Sequence, residues 1–209
     1  CDVVNLNKQK GLLSLERNRG NAKARAISLE TYVLSKELFI TLVKKAANTS
    51  SLYWFRDIVN DMCTELDIRG VAHRGFVACI NDFQSYYKGN MELLDYDKGE
   101  DLFDDNWPFY TRTNDSCPTQ YYKDIVVRHS IISNGCTIEG NVINSVIGRG
   151  VEVKKGAVIE NSVILPGAVI GENVHINNVV VDKRARIVNK KEVCSVSEHP
   201  LYVKRNDKI

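Results

Sequence analysis

The hydrophobic pattern of the chain changes period about midway. In residues 1–93, strand and helix signals alternate. "VVNLNKQKGLLSLE" sets two short apolar runs around a polar turn ending in Gly11, which predicts a β-hairpin. "AISLETYVL" reads as a strand with Ile27, Leu29, Thr31 and Val33 on one face. Ser35 then stands where it caps a helix over "KELFITLVKKAA", in which Leu38, Ile40, Leu42 and Val43 keep helical spacing. "WFRDIVNDMCTEL" repeats that spacing through Phe55, Ile58, Val59, Met62 and Leu66. "DIRGVAHRGFVACI" is strand-like, and "DFQSYYKGNMELL" is again helical, with Asp82 as its cap. This is α/β material with too few strands for a complete doubly wound domain.

Residues 94–123 break the pattern. Asp95, Asp97, Glu100, Asp101, Asp104 and Asp105 crowd one stretch, followed by "WPFYT" and Pro118. Such a segment reads as a solvated linker between domains. From Asp124 a third period begins. Aliphatic residues fall at Ile132 and Ile138, then at Ile147, Val153 and Ile159, then at Ile164, Ile170 and Ile176, then at Val181, Ile187 and Val193. Steps within a triple are six residues and the triples recur every 17, except that Ile132 to Ile147 is 15. Gly135, Gly150 and Gly167 mark matching turns, and Arg184 takes that place in the last coil. One inward aliphatic per six residues suits a short strand plus a turn. Three such units close a triangular coil, and stacked coils bury a ladder of Ile and Val. Gly or Asn is needed at corners where φ turns positive. The expected architecture is therefore an α/β part over residues 1–93, a linker over 94–123, a β-helix of hexapeptide repeats over 124–193 and a tail over 194–209.

Composition narrows the function classes. The 209 residues are 44% apolar and 26% charged, with a net charge of +2, which gives no global case for nucleic acid or an acidic membrane. No apolar run approaches the length of a membrane span. "CDVVNLNKQKG" has neither a signal pattern nor an initiator Met, so the chain is expected to be a fragment of a longer protein. Six cysteines without a C-x-x-C point to reduced cytoplasmic thiols, with neither a zinc site nor a disulfide framework.

Several segments resemble bacterial glucose-1-phosphate adenylyltransferase (ADP-glucose pyrophosphorylase). "SLETYVLSKELFITLV" looks like the strand and helix after that family's sugar-contacting segment. "FVACINDFQSYYKGNMELL" resembles its "YWRDVGTxxxYxxANLxLL", "WPFYT" its "WPIxT", and "VVVDKRARI" its "xVIDRxxxI". The likeness runs over nearly the whole chain and corresponds to the C-terminal half of the enzyme. It implies a partial nucleotidyltransferase-like domain followed by a left-handed parallel β-helix.

The departures are as informative. An ungapped match through "YYKGNMELL" places Cys79 at the family's metal-binding aspartate, Ala78 at its arginine and Asp82 at its threonine. Mg²⁺ wants hard oxygen ligands, which a thiol does not supply. The family's "EKP" is replaced near Glu16–Gly20 by "ERNRG", leaving Arg19 near the lysine. Its "SMGIY" keeps Ser28 but has Glu30 in place of glycine. Arg19, Ser28 and Glu30 are thus candidate remnants of a sugar site. Together these losses resemble the non-catalytic partner subunit of the GlgD type. That resemblance implies a regulatory, catalytically degenerate subunit in glycogen biosynthesis. Its partner would be a catalytic subunit that makes ADP-glucose and pyrophosphate from ATP and glucose 1-phosphate with Mg²⁺. No cofactor or metal is expected on this chain itself, and the location implied is the cytoplasm, in an oligomer.

Further residues carry both a functional and a structural reading. Lys183, Arg184, Arg186, Lys190 and Lys191 are either a solvated face or an anion site for a phosphorylated effector, with Lys183 matching the "IDR" arginine. Cys79 reads structurally as a small buried residue. Two further readings stay open: a catalytically competent nucleotidyltransferase of the same family, and a hexapeptide acyltransferase using His129 or His175 as general base. The strand pattern points His175 outward, as a surface residue.

Overall fold

The computed structural model describes residues 2–17, 26–103, 108–110, 113, 115–196 and 198–209. The chain divides into two compact units, residues 1–74 and 75–209. In the first, strands β1 (Asp2–Leu6) and β2 (Leu12–Arg17) form the expected antiparallel hairpin. Its turn is held by the Asn7 side chain, whose Oδ1 accepts from the amides of Gln9 and Gly11. Helix α1 (Lys36–Thr49) starts at Ser35, whose Oγ accepts from the Leu38 amide at 3.2 Å. Helix α2 (Phe55–Asp61) follows. Leu42, Ala46 and Ile58 form a small core, with Leu34, Leu38, Tyr53, Phe55, Met62 and Leu66 against it. Of the predicted apolar face of α1, Ile40 and Val43 lie exposed.

Two predicted strands are not strands here. Residues 27–33 make one bridge, Val3 to Ile27, and the second segment makes one, Gly11 to Arg69. Val33 is 100% exposed and Val71 is 93% exposed. The alternation was a real apolar signal, but a strand also needs a neighbouring backbone to pair with. Among the described residues, neither segment has more than that single bridge.

The second unit opens with helices α3 (Phe83–Glu92) and α4 (Tyr96–Leu102). Helix α4 lies inside the stretch read as linker, started by Asp95, whose Oδ1 accepts from the Asp97 amide. Helix α3, grouped by sequence with the first domain, packs on the solenoid. The Tyr87 hydroxyl donates to the Asn161 carbonyl at 2.6 Å, and Phe83 stands edge-on to Tyr202.

From residue 120 the chain forms a parallel β-solenoid of three five-stranded sheets. The first face stacks residues 127–128, 141–143, 158–160, 175–177 and 192–194; the second 131–132, 146–147, 163–164, 179–181 and 201–203; the third 120–121, 137–138, 152–153, 169–170 and 186–187. The register reproduces the sequence periods. Ile147 pairs with Ile164 and Ile164 with Val181, while the shorter first interval pairs Ile132 with Ile147. Nine of the predicted ladder residues, from Ile138 through Ile187, are fully buried.

A second buried layer lies two residues before the aliphatics: Cys136, Val151, Ala157, Ala168, Val174 and Ala185. On one edge, serines hold that place. Each serine hydroxyl donates to the carbonyl two residues back and accepts an amide from the next coil. Thus Ser145 accepts from the Ser162 amide and Ser162 from the Val179 amide, both at 3.1 Å.

The corners take left-handed backbone as expected. One column runs Gly135, Gly150, Gly167, Arg184 and Asn206; another runs His129, Asn144, Asn161 and Asn178. In the second column Asn144 Nδ2 donates to Asn161 Oδ1 at 2.6 Å, joining successive coils. The solenoid also extends past the expected limits. Residues 120–121 and 201–203 are strands of it, and Leu201–Val203 pairs with Val179–Val181. That last step is 22 residues rather than 17, so the repeat did not reveal it.

Candidate functional site

The residues singled out by sequence stand at several separate places. In the first unit, Ser28 Oγ accepts from the Glu30 amide at 3.0 Å, and the Ser28 amide donates to the Asp2 carbonyl. Glu30 has φ +55, backbone that favours glycine, which is the residue the family resemblance puts there. Glu30, Tyr32, Ser35, Lys36, Phe39 and Phe55 border an open recess of about 680 Å³. Burial pushes the Tyr32 phenol upward, and its ring stands edge-on to Phe55. Ser28 and Glu30 therefore come together, with a carboxylate at the rim of the recess. Arg19 lies outside the described residues.

Cys79 precedes α3 and is exposed, not the buried small residue of the structural reading. Its thiol is 3.4 Å from Asn81 Nδ2. Asp82, three residues on, is committed to the helix. Its Oδ1 accepts from the Ser85 amide at 2.7 Å while Ser85 Oγ accepts from the Asp82 amide at 3.0 Å. The Ser85 amide first, and then the Ser85 side chain, hold the Asp82 carboxyl below its ordinary range. A carboxylate that accepts the Ser85 amide in a reciprocal capping box is a cap rather than a displaced metal ligand.

The basic residues split. Lys183 and Arg184 sit at the corner before strand 186–187, whereas Lys190 and Lys191 precede strand 192–194 on another face. Lys191 Nζ donates to the Glu172 carbonyl at 2.8 Å. One strand of a third face lies between the two groups. Sequence neighbours in a coil of about six residues per face need not be spatial neighbours.

The C-terminal segment extends the first group instead. The Asn206 amide donates to the Lys183 carbonyl, and Lys208 bridges Arg186. Lys183, Arg184, Arg186, Lys204, Arg205 and Lys208 are all exposed along this corner. Arg184 adopts φ +60, a left-handed conformation that is unfavourable to a residue with a Cβ.

The corner is fixed by Asp182. The Tyr202 hydroxyl donates to Asp182 Oδ2 at 2.6 Å, and the Lys183 amide donates to Oδ1. Tyr202 first, then that amide and the Arg205 and Lys183 cations, hold the Asp182 carboxyl below its ordinary range, against a smaller opposing effect of burial. A depressed folded-state value means this contact stabilises above the ordinary carboxylate range, and that stability is lost as pH falls through the folded value. Tyr202→Phe should therefore lower the thermal midpoint at neutral pH and converge on wild type in acid. Melting curves across that range check it, and parallel curves would exclude the linkage.

The histidines differ. His129, in left-handed backbone, places Nδ1 2.8 Å from Asn144 Oδ1. His175 points outward as expected, but it has an orienting group that the sequence did not reveal: Glu160 Oε2 lies 3.2 Å from its Nε2. The only available signal was the 15-residue separation, close to one coil. No helix among the described residues is long and apolar enough to cross a membrane.

The family model described as GlmU-like, C-terminal hexapeptide matches residues 118–199. Over 178 residues the chain is 30% identical to the glycogen biosynthesis protein GlgD of Bacillus subtilis (strain 168), covering 85% of this chain and 52% of that protein. It is 36% identical over 159 residues to the GlgD protein of Geobacillus stearothermophilus, covering 76% and 41%. It is 30% identical over 189 residues to the glucose-1-phosphate adenylyltransferase of Fervidobacterium nodosum, covering 88% and 44%. The chain spans about half the length of the curated relatives it matches, and it resembles the C-terminal half of this enzyme family and its GlgD-type proteins.

Proposed function

We propose that the chain is part of a regulatory, catalytically degenerate subunit of glucose-1-phosphate adenylyltransferase, working in the cytoplasm with a catalytic sister subunit in glycogen biosynthesis. The first unit is then the closing part of a nucleotidyltransferase-like domain, and the solenoid is a left-handed β-helix. The observation that carries the reading is at Cys79. A thiol stands where the family resemblance expects the metal-binding carboxylate, and the nearby Asp82 carboxylate is held by its helix cap. Phosphoryl chemistry of this class depends on a cation bridging phosphate oxygens, and carboxylates hold that cation. Glu30 supports the same conclusion, since it brings charge and bulk to a place whose backbone favours glycine.

The solenoid supplies assembly surfaces. Among the described residues, its first coil leaves strand edges unpaired beside the exposed Tyr121, Val127 and Ile131, which suit docking to another subunit. The basic corner at Lys183, Arg184 and Arg186 is the proposed site for a phosphorylated effector, because several cations converge there without a matching number of carboxylates.

A pyrophosphate-release assay on the full-length protein tests the reading. With ATP, glucose 1-phosphate and Mg²⁺, the protein alone should release no pyrophosphate above background. Added to a catalytic glucose-1-phosphate adenylyltransferase subunit, it should change that subunit's rate or its effector response. Sustained turnover by the isolated protein would reject catalytic degeneracy and favour a competent enzyme.

A further inference from the structure

Four polar side chains converge on the outer surface of the solenoid's first face, from three successive strands. Ile159, Ile176 and Val193 point inward, so Glu160, His175, Glu192 and Cys194 point outward. Parallel pairing sets His175 beside Glu192, and Cys194 beside Asn177 on the same two strands. His175 Nδ1 is 3.8 Å from Cys194 Sγ, and His175 Nε2 is 3.2 Å from Glu160 Oε2. One ligand atom each from His175, Glu192 and Cys194 lie within 4.8 Å of one another.

We propose that His175, Glu192 and Cys194 bind a divalent transition-metal ion of the zinc class, with Glu160 as the positioning residue. The geometry suits this ion. Bonds of about 2.3 Å to sulfur and about 2.0–2.1 Å to nitrogen at a tetrahedral angle put the two donor atoms roughly 3.5 Å apart. The observed 3.8 Å needs only a small side-chain adjustment. The donor set of one imidazole, one thiolate and one carboxylate selects zinc or cobalt over magnesium or calcium, which prefer oxygen alone. Glu160 does what a carboxylate behind a metal-binding histidine does. It accepts the Nε2 proton, so that Nδ1 carries the free lone pair on the side of Cys194. Glu192 is solvent-exposed while His175 and Cys194 are half-buried, which leaves an entry path and a fourth position for water.

The absence of a C-x-x-C, which argued against zinc from sequence, does not apply to a solenoid. Ligands here come from adjacent coils, and one 17-residue turn separates His175 from Glu192. Such an ion would clip strand 192–194 to strand 175–177. The site does not depend on the function proposed above.

Cobalt titration of the metal-free full chain tests the proposal. One equivalent of Co²⁺ should bind with a thiolate-to-cobalt charge-transfer band and the visible bands of tetrahedral cobalt, and Zn²⁺ should displace it. Cys194→Ser should abolish the charge-transfer band, whereas Cys79→Ser, at an exposed thiol elsewhere, should keep it. Glu160→Gln should keep the band but weaken affinity roughly 10–100-fold. Zinc should raise the melting temperature of wild type and not of Cys194→Ser. The proposal is overturned if wild type gives no charge-transfer band with excess cobalt, or if the band survives in Cys194→Ser. If Cys194→Ser fails to fold, Glu160→Gln, a change to an outward-facing side chain, decides: unchanged cobalt affinity rejects the site.

Discussion

Replacing Ile159 by alanine should destabilise the solenoid by about 2–5 kcal/mol, the range for truncating a fully buried branched aliphatic. Ile159 is 0% exposed and sits in the central strand of the first face. It pairs with Val142 in the coil before it and with Ile176 in the coil after it, and both are also fully buried. Removing three methyl or methylene groups opens a cavity that neither neighbour can fill. Both are held in place by their own ladder hydrogen bonds, so the cavity term adds to the transfer term. In a stacked repeat the loss also weakens the interfaces on both sides. Denaturant unfolding of wild type and Ile159→Ala, with Val33→Ala as an exposed control, measures this. Val33→Ala should stay within about 0.5 kcal/mol of wild type. A loss below about 1 kcal/mol for Ile159→Ala would mean that the ladder is not packed as described.

Lys183→Ala together with Arg186→Ala should raise the effector concentration for half-maximal response of the mixed enzyme at least roughly tenfold. Each charge-assisted contact to a phosphate contributes about 1.5–3 kcal/mol, and 1.4 kcal/mol is a factor of ten. The structure sharpens this test. Lys190 and Lys191 lie close in sequence but at a different corner, with Lys191 tied to the Glu172 carbonyl. Lys190→Ala with Lys191→Ala is therefore a control of equal charge change, and it should leave the response unaltered. Lys204 and Arg205, distant in sequence, lie along the same corner as Lys183, and their replacement should act like that of Lys183. Equal effects of all pairs would indicate only a general loss of positive charge. No effect from any pair would leave the corner as a solvated face.

Asp82 and Ser35 show how much local chemistry the sequence alone determined. A carboxylate or hydroxyl three residues before an amide at a helix start has one dominant partner, so both caps were legible and both are present. The ladder from Ile138 to Ile187 was legible for a related reason. A solenoid repeats one short local solution, so its period survives in the chain and its glycine and asparagine corners mark themselves. Residues 27–33 show the limit of pattern. Their alternation is clear, yet strand formation depends on a partner backbone that the alternation does not specify.

What only the tertiary structure decided is which side chains from different coils meet. The 22-residue step to Leu201–Val203 breaks the period, so the docking of Tyr202 on Asp182 and of Lys204–Lys208 along Lys183–Arg186 could not be read from spacing. The pairing of His175 with Glu160 and Cys194 lies within the regular period, but the period gives the strand register and not the directions in which outward side chains reach along and across it. Each of these contacts is a product of register between stacked strands. The apolar pattern and the backbone hydrogen bonds along the whole face fix that register together, and no single residue encodes which outward side chains it brings side by side.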